Sequence, residues 1–179
     1  MTTLYLFPTV HEAVGLLSRC PEVESQVGFI GVGMAEAGAN AAALIAEHRP
    51  RRVVLCGIAG ACDRSLQVGD VVQVACDCVG GLPEKYSKEY ISMERGKLQQ
   101  VRCITVSRTG TSEPSYADDM PCIEQMEGAA VAAVCQAFGV EEYYHLRAIS
   151  NYVDDPRSAW RVAEAVEALA AAVAGLQIE

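Results

Sequence analysis

Residues 51–60, RRVVLCGIAG, form an apolar run that closes on two glycines flanking small residues. A run of this length, rich in β-branched residues, reads as a strand buried on both faces, so the chain must supply covering layers on each side of a sheet. Extended and helical patterns do alternate around it. LYLF (4–7) predicts a first strand and HEAVGLLSR (11–19) a helix; VGFIGVG (27–33) predicts a second strand, followed by an Ala-rich helix over 35–48. DVVQVACDCV (70–79) and VRCITVS (101–107) predict further strands, followed by a helix near 124–138, the strand YYHLRAIS and a terminal helix over 159–176. This order predicts a three-layer α/β fold, with a central mixed, largely parallel sheet flanked by helices. No linker interrupts it, so residues 1–179 are read as a single domain.

Composition narrows the partners. Fourteen basic against 23 acidic residues leave a net charge of −9, which opposes binding to phosphate backbones and anionic lipid. Nucleic acid and membrane are therefore not expected. The eight cysteines are scattered without a C-x-x-C pair, so they are read as reduced thiols of a cytoplasmic protein, with no metal and no cofactor implied. No apolar run approaches the roughly 20 residues of a membrane span. Arg161, Glu164 and Glu167 make the Ala-rich tail an amphipathic helix.

In parallel α/β sheets ligands sit beyond the carboxyl ends of the strands, so the residues after each apolar run are the site candidates. PTVHE places His11 and Glu12 at the start of a helix, where a glutamate can also serve only to complement the helix dipole. GVG (31–33) lacks the third glycine of a dinucleotide fingerprint, since Glu36 stands there. The backbone of Gly57, Ile58, Ala59 and Gly60 can approach a ligand closely and is read as a pocket floor. Glu127 sits between Met126 and Gly128 at a helix start, where amide donors and space suit a carboxylate facing a ligand hydroxyl. Glu124, by contrast, fits a solvated first-turn acid. In HLRAISNYVDD the strand ends on Ser150 and Asn151, and Asn151 either faces a ligand or merely caps a turn.

GIAGACDRSLQVGDVV, QMEGAAVAAVCQAFGV and LRAISN, in that order, resemble the purine nucleoside phosphorylase and nucleosidase superfamily. The likeness is strongest to its hydrolytic members, futalosine hydrolase and methylthioadenosine/S-adenosylhomocysteine nucleosidase; MEGAAVA, RAISN and RSAW look most like futalosine hydrolase of a menaquinone pathway. The resemblance implies cleavage of a purine N-glycosidic bond through an oxocarbenium-like transition state. It assigns Glu12 to activation of water, Glu127 to the ribose hydroxyls and Asn151 to the purine edge, with Gly57, Ile58, Ala59, Gly60, Met126 and Ser150 around the substrate. Relatives that cleave adenine carry an aspartate where this chain has Asn151. An amide delivers no proton but can donate to a 6-oxo group and accept from a protonated N7, which favours a 6-oxopurine nucleoside such as futalosine. Phosphorylases of the superfamily place an arginine and a hydroxyl residue where this chain has Leu55 and Ile58, so water is the expected nucleophile.

The chain looks shortened after the first helix and between GDVV and VRCITVS. There, residues 80–97 read as a mobile polar loop in a region that shapes the sugar side of the pocket in relatives. Tyr86, Tyr90 and Tyr152 are the candidates for stacking on the purine. A homodimer is expected. A shortened, catalytically weak nucleoside binder and a phosphorylase are the alternatives.

Overall fold

A computed structural model describes residues 2–62, 64–110 and 120–176. Strand β1 (Thr3–Phe7) leads into helix α1 (Val10–Arg19), and β2 (Val27–Phe29) into α2 (Met34–His48). The long strand β3 (Arg52–Ala61) and β4 (Val71–Val79) follow, then the short β5 (Tyr90–Ile91), β6 (Gln99–Thr105) and β7 (Cys122–Gln125). Helix α3 (Gly128–Phe138), β8 (Glu142–Tyr152) and α4 (Val162–Gly175) complete the order.

The expected mixed α/β architecture is present. β1 pairs in parallel with β2 and β3, and β3 pairs in parallel with β8 along its whole length. Helices α2 and α3 cover one face over Leu4, Leu6, Val53 and Leu55. Helices α1 and α4 cover the other over Phe7, Val54, Cys56 and Leu146. Each fully buried leucine of this kind contributes about 2 kcal/mol by leaving water.

Part of the sheet closes on itself. β8 pairs with β4 antiparallel, β4 with β6 and β6 with β7 in parallel, and β7 returns antiparallel to β3. This ring is filled by Ala59, Ala61, Val72, Val74, Val101, Ile123 and Ile149.

The ring splits the sheet at one point on β3. Its first half pairs with β1 up to Leu55 and its end pairs with β7 at Gly60 and Ala61. Between those two partners the edge of β3 is open, and the amide and carbonyl of Ile58 are taken by side chains.

Three local expectations change. VGFIGVG is a strand only as far as Phe29, because Gly31 and Gly33 take positive φ (79° and 91°) and turn the chain into α2. The helix near 124–138 begins at Gly128, since Cys122–Gln125 is strand β7. Residues 80–97 are not a plain loop: they hold a 3-10 turn over Glu84–Tyr86 and strand β5, whose Tyr90 and Ile91 pair with β4.

Candidate functional site

A cleft of about 360 Å³ opens where β3 leaves β1 and meets β7. Its walls include Glu12, Ile58, Ala59, Gly60, Met126, Glu127, Ser150 and Asn151. Gly57 lies just beneath. A Cβ on Gly57 would fall on Arg147 Nη1 and lie 3.1 Å from Glu12 Oε1, so the missing side chain is what lets those two groups share the floor.

Glu12 reaches the cleft because of how α1 starts. Thr9 is the N-cap and its hydroxyl accepts the Glu12 amide at 3.4 Å. A threonine three residues before a glutamate is the pattern of a reciprocal capping box, in which the carboxylate would turn back to the cap amide. Here it turns inward: Thr9 Oγ1 donates to Oε2 at 2.6 Å, and the Ile58 amide donates to Oε1 at 3.1 Å. Burial raises the Glu12 pKa, and the Thr9 hydroxyl, the Arg147 charge and the Ile58 amide only partly offset it. A partly desolvated carboxylate beside a cleft can act as a general base.

Glu127 stands at the N-cap of α3, 4% exposed. Its Oε1 accepts the Gly33 amide at 3.0 Å, and its Oε2 lies 3.4 Å from Arg147 Nη1. The GVG turn therefore presents an amide to the carboxylate rather than to a ligand. Arg147 is itself buried, donating to His145 Nε2 at 2.8 Å, to the Ile58 carbonyl at 3.1 Å and to Gln125 Oε1 at 3.0 Å. Two buried carboxylates thus flank one buried guanidinium.

Asn151 ends the site. Its Nδ2 donates to the Tyr152 carbonyl at 2.8 Å and its Oδ1 accepts from Ser150 Oγ at 2.8 Å. A carbonyl only accepts, so this bond fixes which end of the amide is nitrogen. An amide has a second N–H and a second lone pair that these bonds leave unused, and Asn151 borders the cleft.

Residues 10–80 match the model of the phosphorylase superfamily. No curated protein sequence matches the chain. Among solved structures it superposes on a futalosine hydrolase mutant of Helicobacter pylori with a TM-score of 0.83, at 16% identity over 97% of each chain. The fold is that of the phosphorylase superfamily. The 5'-methylthioadenosine/S-adenosylhomocysteine nucleosidase of Neisseria meningitidis, in complex with methylthio-immucillin-A, superposes with a TM-score of 0.79 at 16% identity over 98% of each chain. The corresponding Campylobacter jejuni nucleosidase gives 0.75 at 18% identity over 98% of this chain and 96% of that one.

On this superfamily fold, Glu12, Glu127 and Asn151 converge on one cleft, with Ile58, Ala59, Gly60, Met126 and Ser150 around them. The aromatic expectations change. Tyr86 is exposed, Tyr90 packs in β5 against the α2–α3 side, and Tyr152 lies under the Arg64 guanidinium with its hydroxyl on the Leu66 carbonyl; none borders the cleft. Among the described residues the aromatic that does is Trp160, with the Arg157 guanidinium 4.1 Å from its ring centroid. Residues 80–97 contribute nothing to the cleft lining.

Glu124 is also corrected: it is buried in β7, accepts from the Gly110 amide and lines the cleft, because its segment is strand rather than helix. Gln125 and the bridging role of Arg147, which by sequence is at most a possible anion contact, were not anticipated. Their signal is a long polar side chain inside an otherwise apolar strand, which is costly unless it is paired. Among the described residues no helix is long and apolar enough to cross a membrane, and no cluster of three metal-ligating side chains occurs.

Proposed function

We propose that the protein is a nucleosidase that hydrolyses the N-glycosidic bond of a 6-oxopurine nucleoside, futalosine being the favoured substrate within that class. The observation that carries this reading is the convergence of Glu12, Glu127 and Asn151 on the cleft at the open edge of β3. The named activities of the structural neighbours agree with nucleoside cleavage in general; of the two, the futalosine hydrolase fits the 6-oxopurine reading, while the methylthioadenosine nucleosidase is named for an adenine nucleoside.

In this account Glu12 takes a proton from water as the water oxygen bonds to the anomeric carbon. The C–N bond breaks, its electron pair passes to the purine, and the purine gains a proton from solvent. Glu127 accepts hydrogen bonds from ribose hydroxyls and its charge favours the cationic sugar. Asn151 donates to the 6-oxo oxygen and accepts from a protonated N7; with adenine the amide and the exocyclic amine would set donor against donor.

Water is preferred over phosphate because the floor offers a dianion little. Leu55 is buried in the core and Ile58 is apolar, while Arg147 is already bonded to Glu127, His145, Gln125 and the Ile58 carbonyl. Incubation with futalosine, inosine, adenosine and methylthioadenosine, with and without phosphate, tests both points through the free base released. Phosphate-independent release of hypoxanthine supports the reading, and strict phosphate dependence removes it.

A second reading, a nucleoside binder with little turnover, draws on the absence of residues 80–97 from the cleft lining. Binding without release of base would favour it. A homodimer fits the exposed apolar side chains of Val10, Val14, Phe29 and Val32, the last of which lines the cleft, and mass by light scattering decides that point.

A further inference from the structure

Behind the cleft lies a buried polar cluster that the proposed reaction does not use. Asp77 of β4 is 2% exposed. Thr105 Oγ1 lies 3.0 and 2.9 Å from its two oxygens, and Gln125 Nε2 donates to Oδ2 at 3.1 Å. Both partners then reach the first turn of α3. Gln125 Oε1 accepts the amides of Glu127 and Gly128 at 2.7 and 2.6 Å, and Thr105 Oγ1 accepts the amide of Ala129 at 2.9 Å. The amides that a helix start leaves without backbone partners are therefore satisfied by two side chains that Asp77 holds.

The cluster also reaches the guanidinium. His145 Nε2 accepts from Arg147 Nε, and burial together with the Arg147 charge drives the His145 pKa well below its ordinary value. A neutral imidazole that accepts at Nε2 carries its hydrogen on Nδ1. That Nδ1 has no hydrogen-bond partner among the described residues and lies 3.9 Å from Asp77 Oδ2. Gly128 packs over both groups, and a Cβ there would overlap Asp77 Oδ2 and His145 Cε1.

We propose that Asp77 is a positioning residue, holding the first turn of α3, with the Glu127 backbone, through Gln125 and Thr105, and the Arg147 guanidinium through Gln125. The inference deepens the proposed function, because it rests on Glu127 and Arg147 working in the cleft. Burial pushes the Asp77 carboxyl up to about 7, outweighing the Thr105 hydrogen bond and the Arg147 charge. The carboxylate is thus kept where an uncharged side chain would be cheaper.

Gln125 is the moving part. With Asp77 ionised, Nε2 points at the carboxylate and Oε1 at the helix and Arg147. A proton on Oδ2 sets donor against donor, favours rotation of the Gln125 amide and withdraws Oε1 from Glu127 and Arg147. The groups facing Asp77 are Thr105 and Cys103 of β6, Gln125 of β7, Tyr143, His145 and Arg147 of β8, and neighbouring Cys78.

The test is amide NMR of the ligand-free protein across the neutral range, which needs no substrate. The amides of Glu127, Gly128 and Ala129 are expected to titrate together with a midpoint of about 7 in the wild type, and not in Asp77→Asn. Glu12→Gln should keep the titration. A wild type whose three amides show no titration that Asp77→Asn removes overturns the proposal. Should Asp77→Asn not fold, Thr105→Ser is expected to keep the Ala129 response and Thr105→Val to lose it; equal responses overturn the proposal. In turnover, Asp77→Asn should lower kcat roughly tenfold or more with little change in KM, as misplaced catalytic groups do. If the wild type cleaves no nucleoside, the functional reading fails while the amide titration still decides this inference.

Discussion

Arg147 Nη1 lies 3.4 Å from Glu127 Oε2, and the same nitrogen donates to the Ile58 carbonyl, whose residue's amide is bound by Glu12. One guanidinium thus links the two carboxylates to which the proposed chemistry assigns the attacking water and the ribose hydroxyls.

Glu127→Gln tests the sugar-side carboxylate. An amide can still accept from Gly33 with its oxygen, but its nitrogen then faces Arg147 as a second donor and its negative charge is gone. Turnover is expected to fall by about 10²- to 10³-fold, the loss typical of an electrostatic stabiliser. Circular dichroism should be unchanged; loss of the fold would make Glu127 structural.

The pH dependence follows from Glu12. Its carboxyl must be ionised to take a proton, and burial raises its pKa above the ordinary 4.5. The rate, as kcat/KM, should therefore fall as pH drops through that raised value, placing the acid limb above 4.5. Stability runs the other way: a raised folded-state pKa favours the protonated fold, so stability from this group is lost as pH rises from the unfolded to the folded value. The Tm of Glu12→Gln relative to wild type should accordingly increase over that window and then level off. A pH-independent Tm difference would contradict the burial of Glu12.

Gly57→Ala asks whether the floor needs its missing side chain. The added Cβ displaces Arg147 and crowds Glu12, so kcat should drop by roughly a hundredfold, as small misplacements of reacting groups do. Activity within a factor of two would show that the floor relaxes.

Trp160→Ala probes the aromatic wall. Loss of a stacking ring costs about 1 kcal/mol beyond buried area, so KM should rise roughly fivefold while kcat changes less. An unchanged KM would place Trp160 outside the substrate's reach.

Much of this site was legible because local patterns and tertiary structure agree. The apolar run of β3, its closing glycines, and the Ser150–Asn151 end of β8 lie at the carboxyl ends of parallel strands, where such folds bind ligands. The ring was not legible. Its closure depends on β4 meeting β8 and on the four-residue β7 returning to β3, and periodicity within one segment carries no signal for a partner far along the chain. The same blind spot explains Glu124 and Gln125, whose segment borders an Ala-rich helix and reads as part of it. Tyr86, Tyr90 and Tyr152 are candidates by position, yet Tyr86 is exposed and strand pairing and packing hold Tyr90 and Tyr152 away from the cleft, while Trp160 is brought in by the 3-10 turn over Arg157–Ala159.

The central claim concerns which purine Asn151 accepts, and direct competition between inosine-type and adenosine-type nucleosides for the wild-type protein, without phosphate, measures it. The account predicts that kcat/KM favours hypoxanthine release by about tenfold to a hundredfold, the cost of leaving a buried donor unpaired. Equal or preferential release of adenine would contradict it.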